Sequence, residues 1–128
     1  MVRFVFDAYA WVEYLEGSEK GKKVAQFLEA RGSDIFTSAA TLAEVVSKFQ
    51  RTGKDSQIPI SAIPTLSSLV SVTQEISIEA GRIHSEARKR NREFGMLDAF
   101  VAATARSLGA KILTGDDDFR PFPNAVFL

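Results

Sequence analysis

Short apolar runs alternate along the chain with longer segments in which apolar residues recur every three or four positions. The run VRFVF (2–6) is rich in β-branched and aromatic residues and ends at Asp7, which predicts a buried strand. The same argument predicts strands at 34–37, 70–73, 110–114 and 124–128. Strands that alternate with helices of about ten or more residues are typical of a parallel sheet covered on both faces, so the pattern predicts an α/β fold.

The segments between these runs carry helical spacing. A short helix is predicted to follow Asp7, because the apolar residues of AYAWVEYL (8–15) lie three and four positions apart. Further helices are predicted over about 19–31, 38–51, 60–69, 76–92 and 97–109, the last of them ending at Gly109. The polar segment 51–59 contains Gly53 and Pro59, and it predicts an exposed loop.

Composition narrows the class of protein. The chain has 128 residues, about the size of one ordinary domain, and we expect a single domain over 1–128. Sixteen basic residues balance 16 acidic ones, so net charge gives no reason to expect a nucleic acid or membrane partner. The absence of cysteine excludes disulfides, thiolate zinc sites and cysteine nucleophiles. No run approaches a signal-peptide core or the roughly 18 apolar residues of a membrane span, so we expect a soluble, cytoplasmic protein.

Two acidic positions directly follow predicted strands. Asp7 ends the first strand, and Asp116 follows the strand that ends at Thr114, with only Gly115 between them. Ligands of open parallel sheets bind beyond the carboxyl ends of the strands, and carboxylates gathered there repel each other unless a cation neutralises them. Clustered carboxylate oxygens without cysteine suit Mg²⁺ or Mn²⁺ rather than zinc. If the two strands are neighbours, a cation site is expected.

Each acidic residue also has an ordinary structural interpretation. Asp7 is placed to cap the helix that follows it, and Asp116–Asp118 can form an Asx turn. Asp98 lies just inside the start of the 97–109 helix, where the helix dipole favours an acid. Glu44 falls opposite the apolar stripe of its helix, so spacing alone predicts a solvated side chain. Taken one at a time, the residues leave both interpretations open.

The acidic residues nevertheless occur in a specific order. A strand ending at Asp7 is followed by Glu44 in TSAATLAEVV, Asp98 in LDAFVAATA, and Asp116 and Asp118 in ILTGDDDF. In this order the chain resembles PIN-domain ribonucleases, especially the VapC-type toxins of toxin-antitoxin pairs, over nearly its whole length. The segment from Leu97 to Phe119 is the most specific part of the resemblance. A PIN-like fold implies three layers, α/β/α, around a central parallel sheet of four to five strands.

The resemblance also implies a role for each residue. The family's acidic positions hold one or two divalent ions, Mg²⁺ or Mn²⁺. In this chain the matching residues are Asp7, Glu44, Asp98 and Asp116, with Asp118 as a supporting acid. The resemblance therefore implies that Glu44 faces the metal. Thr114 matches a small hydroxyl residue often found beside the metal cluster, whereas Asp117 matches a variable position and is expected to face water. Many relatives carry a hydroxyl or amide residue shortly after the first aspartate. Ala8 and Tyr9 stand there in this chain, so that contact is in doubt unless the phenol of Tyr9 reaches the cleft.

Cations for an RNA substrate are concentrated in RIHSEARKRNRE (82–93). Arg82, Lys89 and Arg92 are spaced to share one flank of a helix, which predicts a phosphate-binding surface, although a solvated charged helix has the same pattern. Arg51 and Lys54 of the polar loop are further candidates for phosphate contacts.

Two other groups of residues are assigned structural roles. His84 is the only histidine and has no partner at metal-ligand spacing, so we expect it at the surface or an edge. Trp11, Tyr14 and Phe27 are expected in packing or a subunit interface rather than as platforms for stacked bases.

Together these observations predict a metal-dependent endoribonuclease, the toxin of a VapBC-type pair. The resemblance implies a homodimer and a small antitoxin whose extended tail occupies the active-site groove. The alternatives are a PIN nuclease of RNA processing or decay without an antitoxin, and a non-catalytic RNA-binding module of the same fold. A receiver-like phosphoacceptor domain also groups aspartates at strand ends, but it needs an acidic pair near the end of the first strand, where this chain has only Asp7.

Overall fold

The computed structural model describes residues 1–128 and contains one sheet of five strands. The strands are β1 (Val2–Phe6), β2 (Ser33–Ser38), β3 (Ser68–Val70), β4 (Lys111–Thr114) and β5 (Ala125–Phe127). They are ordered β3-β2-β1-β4-β5, and every pairing is parallel. The predicted parallel α/β fold is confirmed, and β1 lies at the centre of the sheet between β2 and β4.

Six helices form the outer layers. They are α1 (Ala8–Glu16), α2 (Glu19–Glu29), α3 (Ala39–Arg51), α4 (Gln57–Leu66), α5 (Gln74–Arg88) and α6 (Met96–Leu108). Helices α1 to α4 cover one face of the sheet, and α5 and α6 cover the other. Because side chains alternate along a strand, Phe4 and Phe6 of β1 enter the first core and Val5 enters the second. The result is the three-layer arrangement that the resemblance implied.

Aromatic residues fill the core beneath α1 and α2. Trp11 is fully buried, and its Nε1 donates a hydrogen bond to Oγ1 of Thr37 at 3.0 Å. Its ring lies 6.0 Å from that of Tyr14, while Phe27 meets Phe4 edge to face at 5.1 Å between ring centroids. The packing role predicted for these aromatic residues is confirmed.

The predicted boundaries around α4 are wrong by two to three residues. The helix begins at Gln57 rather than at 60, and Pro59 lies in its first turn. Proline is tolerated there because the first amides of a helix have no intrahelical acceptor. The side chain of Asp55 accepts a hydrogen bond from the amide of Gln57 at 2.9 Å, which fixes the start. The following strand, β3, is consequently earlier and shorter than predicted.

The end of α5 also differs from the prediction. The helix ends at Arg88 rather than near Arg92. The chain turns at Asn91, whose side-chain oxygen accepts a hydrogen bond from the amide of Glu93 at 2.9 Å. Such local side-chain bonds compete with helical ones, and Asn is among the residues that favour them. By contrast, α6 ends at Gly109 as predicted, and the positive φ of 60° there explains the glycine.

The carboxyl ends of β1 and β4 meet at one edge of the sheet. Phe6 pairs with Leu113, and the amide of Asp7 donates a hydrogen bond to the carbonyl of Leu113 at 3.3 Å. Asp7 and Thr114 are therefore neighbours although they lie far apart in sequence. None of the six helices combines the length and apolar character that a membrane span requires.

Candidate metal centre

Asp7 is a helix cap and a buried carboxylate at once. Its side chain is 3% exposed, and Oδ1 accepts a hydrogen bond from the amide of Ala10 at 2.9 Å in the first turn of α1. Oδ2 accepts a second hydrogen bond from the hydroxyl of Thr114. The structural interpretation of Asp7 thus holds, and it does not exclude a role in a site. The two bonds fix the orientation of the carboxylate at the edge of the sheet.

Asp116 is held by the turn that follows β4. Its amide donates to Oγ1 of Thr114 at 2.9 Å, and its Oδ1 accepts from the amide of Asp118 at 2.9 Å. This is the expected Asx turn, and it opens a short 3₁₀ turn over Asp117–Phe119. Asp117 points outward and pairs with Arg120 at 3.1 Å, as expected of an exposed position. Thr114 thereby contacts both Asp7 and Asp116 and links the two strands.

Asp98 and Glu44 come from helices on opposite faces of the sheet. Asp98 lies in the first turn of α6, and Glu44 lies in the second turn of α3. Both are half-buried, and neither carboxylate accepts a hydrogen bond from the protein. The solvated position that helical spacing predicts for Glu44 is wrong, because the deepest residues of α3 are Thr41, Val45 and Phe49. That rotation of the helix brings Glu44 to the edge of the sheet.

These carboxylates converge on one cleft. A cavity of about 220 Å³ at the carboxyl edge of the sheet is lined by Asp7, Glu44, Asp98 and Asp116. Asp118 lies outside this lining, yet one of its carboxylate oxygens is within 4.8 Å of oxygens of Asp98 and Asp116. All five acids named from the sequence therefore lie at one place. The tightest group is the trio Asp98, Asp116 and Asp118, and Asp7 and Glu44 lie beside it.

The proximity of the acids changes their proton affinity. Burial raises the pKa of Asp7 to about 7, against the lowering effect of the Thr114 and Ala10 hydrogen bonds. Burial also raises the pKa of Asp98 to about 7, and repulsion from the surrounding acids, Asp116 first, adds to the effect. The pKa of Glu44 is raised by burial in the same way, although nearby Lys48 opposes the shift. Several carboxylates thus share a space in which full ionisation is unfavourable.

The residues present fit a divalent metal ion. The donor set is made of carboxylate oxygens alone, which suits Mg²⁺ or Mn²⁺. Asp98 lacks a hydrogen-bond donor from the protein and is repelled by its neighbours, so a cation would supply the missing compensation. Asp98, Asp116 and Asp118 are close enough to share one ion. Asp7 and Glu44 lie where they could complete that site or form a second one.

Tyr9 occupies the position at which the chain departs from the family pattern. It lines the cleft, and its hydroxyl accepts a hydrogen bond from Nζ of Lys20 at 2.9 Å. The ring also lies against Gly115, where a Cβ would be 2.1 Å from Cε1 of Tyr9. The phenol therefore reaches the cleft wall, but its hydroxyl is directed to Lys20.

Two cations lie in the wall of the cleft. Lys48 and Arg51, one and two turns beyond Glu44 on α3, are among its lining residues. Arg51 is a phosphate-contact candidate from the sequence, whereas Lys48 was missed, although its i,i+4 spacing from Glu44 places it on the same face. Lys54 is not part of this wall, since it pairs with Glu16 near a different surface.

The basic flank predicted on the 82–93 segment is not formed. Because α5 ends at Arg88, Arg92 lies beyond the helix, and Lys89 pairs with Glu86 at 3.0 Å. Arg82 instead lines a separate pocket of about 460 Å³ between α5 and the segment after β4. His84 is half-buried with its ring 6.5 Å from that of Phe94, and it does not line the cleft. The edge position expected for this histidine agrees with the structure.

Comparison with known proteins identifies the family. The PIN domain model matches residues 4–124, and the chain belongs to the PIN-domain family. Solved structures share its fold. Among them is VapC20 of Mycobacterium tuberculosis, described as a sarcin-ricin loop cleaving toxin, with a TM-score of 0.76 and 18% identity over 94% of this chain and 95% of that one.

Two complexes show the same fold. VapBC2 of Rickettsia felis, bound to a DNA fragment from its promoter, has a TM-score of 0.78 and 16% identity over 99% of this chain and 98% of that one. A toxin-antitoxin complex from Klebsiella pneumoniae has a TM-score of 0.74 and 20% identity over 95% and 94% of the two chains. No curated protein shows a significant sequence match to this chain.

Proposed function

We propose that this protein is a divalent-metal-dependent endoribonuclease and the toxin of a VapBC-type pair. The observation that carries the proposal is the convergence of Asp7, Glu44, Asp98 and Asp116 on one cleft, with Asp118 beside them. This cleft lies at the carboxyl edge of the parallel sheet, where ligands of such sheets bind. A complete set of acids argues against a module that binds RNA without cleaving it.

Different residues of the chain would have different roles in phosphodiester cleavage. Asp98, Asp116 and Asp118 would hold Mg²⁺ or Mn²⁺, with Asp7 and Glu44 available for the same ion or a second one. When bound, such ions neutralise phosphoryl oxygens and lower the pKa of a water molecule for in-line attack. Thr114 positions Asp7 through its hydroxyl. Lys48 and Arg51 in the cleft wall would attract the phosphates of the substrate.

The proposal for a partner comes from the structural neighbours. The Klebsiella pneumoniae structure is a toxin-antitoxin complex, and VapC20 is a toxin that cleaves the sarcin-ricin loop. We extend to this chain a small antitoxin that covers the cleft, a homodimer and a cytoplasmic location. A single domain over 1–128 is part of the same proposal.

The decisive experiment incubates the purified protein with total RNA and maps the cut ends. Reactions contain Mg²⁺, Mn²⁺ or a chelator, and Asp98→Asn serves as the matched control. We expect metal-dependent cleavage at one or a few discrete sites, which Asp98→Asn and the chelator abolish. General degradation would instead indicate a PIN nuclease of RNA processing or decay. RNA binding without any cleavage would show a non-catalytic module and overturn the proposal.

A further inference from the structure

We propose that the 460 Å³ pocket between α5 and the segment after β4 binds one nucleotide of the RNA, next to the phosphate at the acid cleft. This inference rests on the proposed function. The pocket lies on the α5 and α6 side of the sheet, away from Lys48 and Arg51 on the opposite side. Its size is within the roughly 300–1,000 Å³ of small-molecule sites.

The floor of the pocket suits a nucleobase. The rings of Phe94 and Phe122 stack at 5.6 Å with an interplanar angle of 18°, and both residues line the pocket together with Ile83. Phe94 is 1% exposed, so its ring is fixed by the core, whereas Phe122 is half-buried at the edge of the same core and lines the pocket. Accessible aromatic rings beside cations are common platforms for single-stranded RNA, because every base has a face that can stack, and Phe122 is the more accessible ring of this pair.

The rim of the pocket suits a phosphate. Three arginines and three acids line it, but each acid is engaged: Glu79 pairs with Arg106, Glu86 pairs with Lys89, and Asp118 accepts a hydrogen bond from Asn91. Arg82 and Arg90 form no ion pair. Two guanidinium groups therefore remain for an anion, and the planar fork of arginine matches phosphate oxygens.

The pocket is joined to the acid cluster through one residue. Asp118 lines the pocket, and its Oδ1 accepts a hydrogen bond from Nδ2 of Asn91 at 2.9 Å. Carboxylate oxygens of Asp118, Asp98 and Asp116 lie within 4.8 Å of one another. A nucleotide in the pocket is thus directly adjacent to a phosphate at the acids. With Lys48 and Arg51 on the other side, an RNA strand would cross the edge of the sheet over the acid cluster.

The test measures binding rather than cleavage, so it is independent of the proposed activity. The ¹⁵N-labelled full chain, free of metal, is titrated with a nucleoside 5′-monophosphate and followed by NMR. Two partial probes are compared with it: ribose 5-phosphate, which lacks the base, and the nucleoside, which lacks the phosphate. We expect saturable shifts at Asn91, Phe94 and Phe122 for the nucleotide, and at least tenfold weaker binding for either partial probe.

Variants test separately the arginines expected to bind the phosphate and the aromatic ring expected to bind the base. We expect Arg82→Gln with Arg90→Gln to weaken nucleotide binding at least tenfold, and Phe122→Leu to make the nucleotide bind no better than ribose 5-phosphate. Arg31→Gln, which removes one positive charge at an exposed position just before β2, should bind as the wild type does. In an RNA cleavage assay, the double arginine variant should raise KM at least fivefold and change kcat less than twofold.

Three results would overturn the inference. Shifts confined to the cleft wall around Lys48 and Arg51 would show that the nucleotide does not enter the pocket. If ribose 5-phosphate bound as tightly as the nucleotide, the pocket would have no subsite for the base. Sedimentation showing that the wild type is a dimer and that the double arginine variant is a monomer, without nucleotide binding by either, would assign the pocket to an interface between two copies of the chain.

Discussion

The ring of Tyr9 fills the space that a side chain at residue 115 would need. A Cβ on Gly115 would lie 2.1 Å from Cε1 of Tyr9 and 2.6 Å from Cδ1 and Cζ, so the pair is in contact with no room to spare. The backbone at Gly115 does not have a positive φ, and the glycine is therefore required by proximity rather than by conformation. Tyr9 follows Asp7 by two residues and Gly115 directly precedes Asp116, so the contact joins the two segments that carry these acids.

Gly115→Ala is expected to displace either Tyr9 or the Asp116 turn. Overpacking of this kind typically costs about 1–3 kcal/mol in the free energy of unfolding, and cleavage should fall because Asp116 moves. Tyr9→Ala should restore most of the stability, since it removes the clashing ring, and a double-mutant cycle by urea denaturation measures the coupling. Gly81→Ala is the control: its Cβ would meet nothing within 4 Å on α5, so that variant should be slightly stabilised. Additive effects at positions 9 and 115 would contradict the contact.

Asp98→Asn is expected to stabilise the metal-free protein while it abolishes the proposed nuclease activity. The carboxylate of Asp98 is repelled by Asp116, Glu44 and Asp7, and an amide removes that charge and can donate to its neighbours. Cleavage should fall more than about 100-fold, beyond the range typical of residues that only support a ligand. Thermal unfolding with and without Mn²⁺ checks both parts: the wild type should gain stability with metal, and the variant should gain little. A variant less stable than the metal-free wild type would contradict the repulsion.

The metal-free protein is expected to lose stability as the pH rises. The pKa values of Asp7 and Asp98 are raised from 3.8 to about 7 in the folded chain. Between those values the folded chain holds protons that the unfolded chain has released, so the free energy of unfolding falls as pH rises from 3.8 towards 7. Each group contributes at most about 1.4 kcal/mol per pH unit in that window. Urea denaturation in chelator across the window measures the slope, which should be shallower in Asp98→Asn; a slope of opposite sign would contradict the assignment.

Thr114→Val is expected to disturb both strands of the site. The hydroxyl donates to Asp7 and accepts from the amide of Asp116, and Thr114 is fully buried. Loss of a buried hydrogen-bond partner costs about 1–3 kcal/mol, and the pKa of Asp7 should rise further because the bond from Thr114 lowers it. Thr114→Ser keeps the hydroxyl and should retain most activity and stability. Equal behaviour of the valine and serine variants would show that the hydroxyl has no such role.

Lys48→Gln and Arg51→Gln are expected to weaken RNA binding without preventing cleavage. Both residues line the acid cleft, and removing one phosphate-binding cation should reduce the dependence of log affinity on log salt by about 0.7 for a single strand. This slope is measured by fluorescence anisotropy with RNA. All the proteins compared also carry Asp98→Asn, so that the RNA is not cleaved during the measurement. Lys23→Gln, at an exposed position of α2, is the matched control. An unchanged slope in the Lys48 and Arg51 variants would show that these residues do not contact the phosphates of the RNA.

Acids at strand ends were easier to locate from the sequence than acids on helices. Asp7 and Asp116 follow apolar runs, and parallel strands carry such residues to a shared edge whatever the details of packing. Glu44 required the resemblance, because its placement depends on which flank of α3 turns inward, and the observed rotation follows Thr41, Val45 and Phe49. Periodicity does not distinguish a flank at a cleft from one in solvent.

The cationic surface was the least predictable part. The spacing of Arg82, Lys89 and Arg92 assumed that the helix continued, but the side-chain bonds of Asn91 end that pattern. One of those bonds goes to Asp118, 27 positions away, and a pattern within one segment carries no information on such a contact. The pocket beside Arg82 is likewise made by two segments that are distant in sequence.

The central position of β1 has a consequence for synthesis of the chain. Asp7 is made well before the hydroxyl that orients it, which lies 107 positions later on a strand that must insert beside β1. A chain that stops before Lys111 carries Asp7, Glu44 and Asp98 but has neither β4 nor Asp116. Under the proposed function, a truncated or still-growing chain would not cleave RNA, and nuclease activity would begin only when β4 has joined the sheet and brought Asp116 to the other acids.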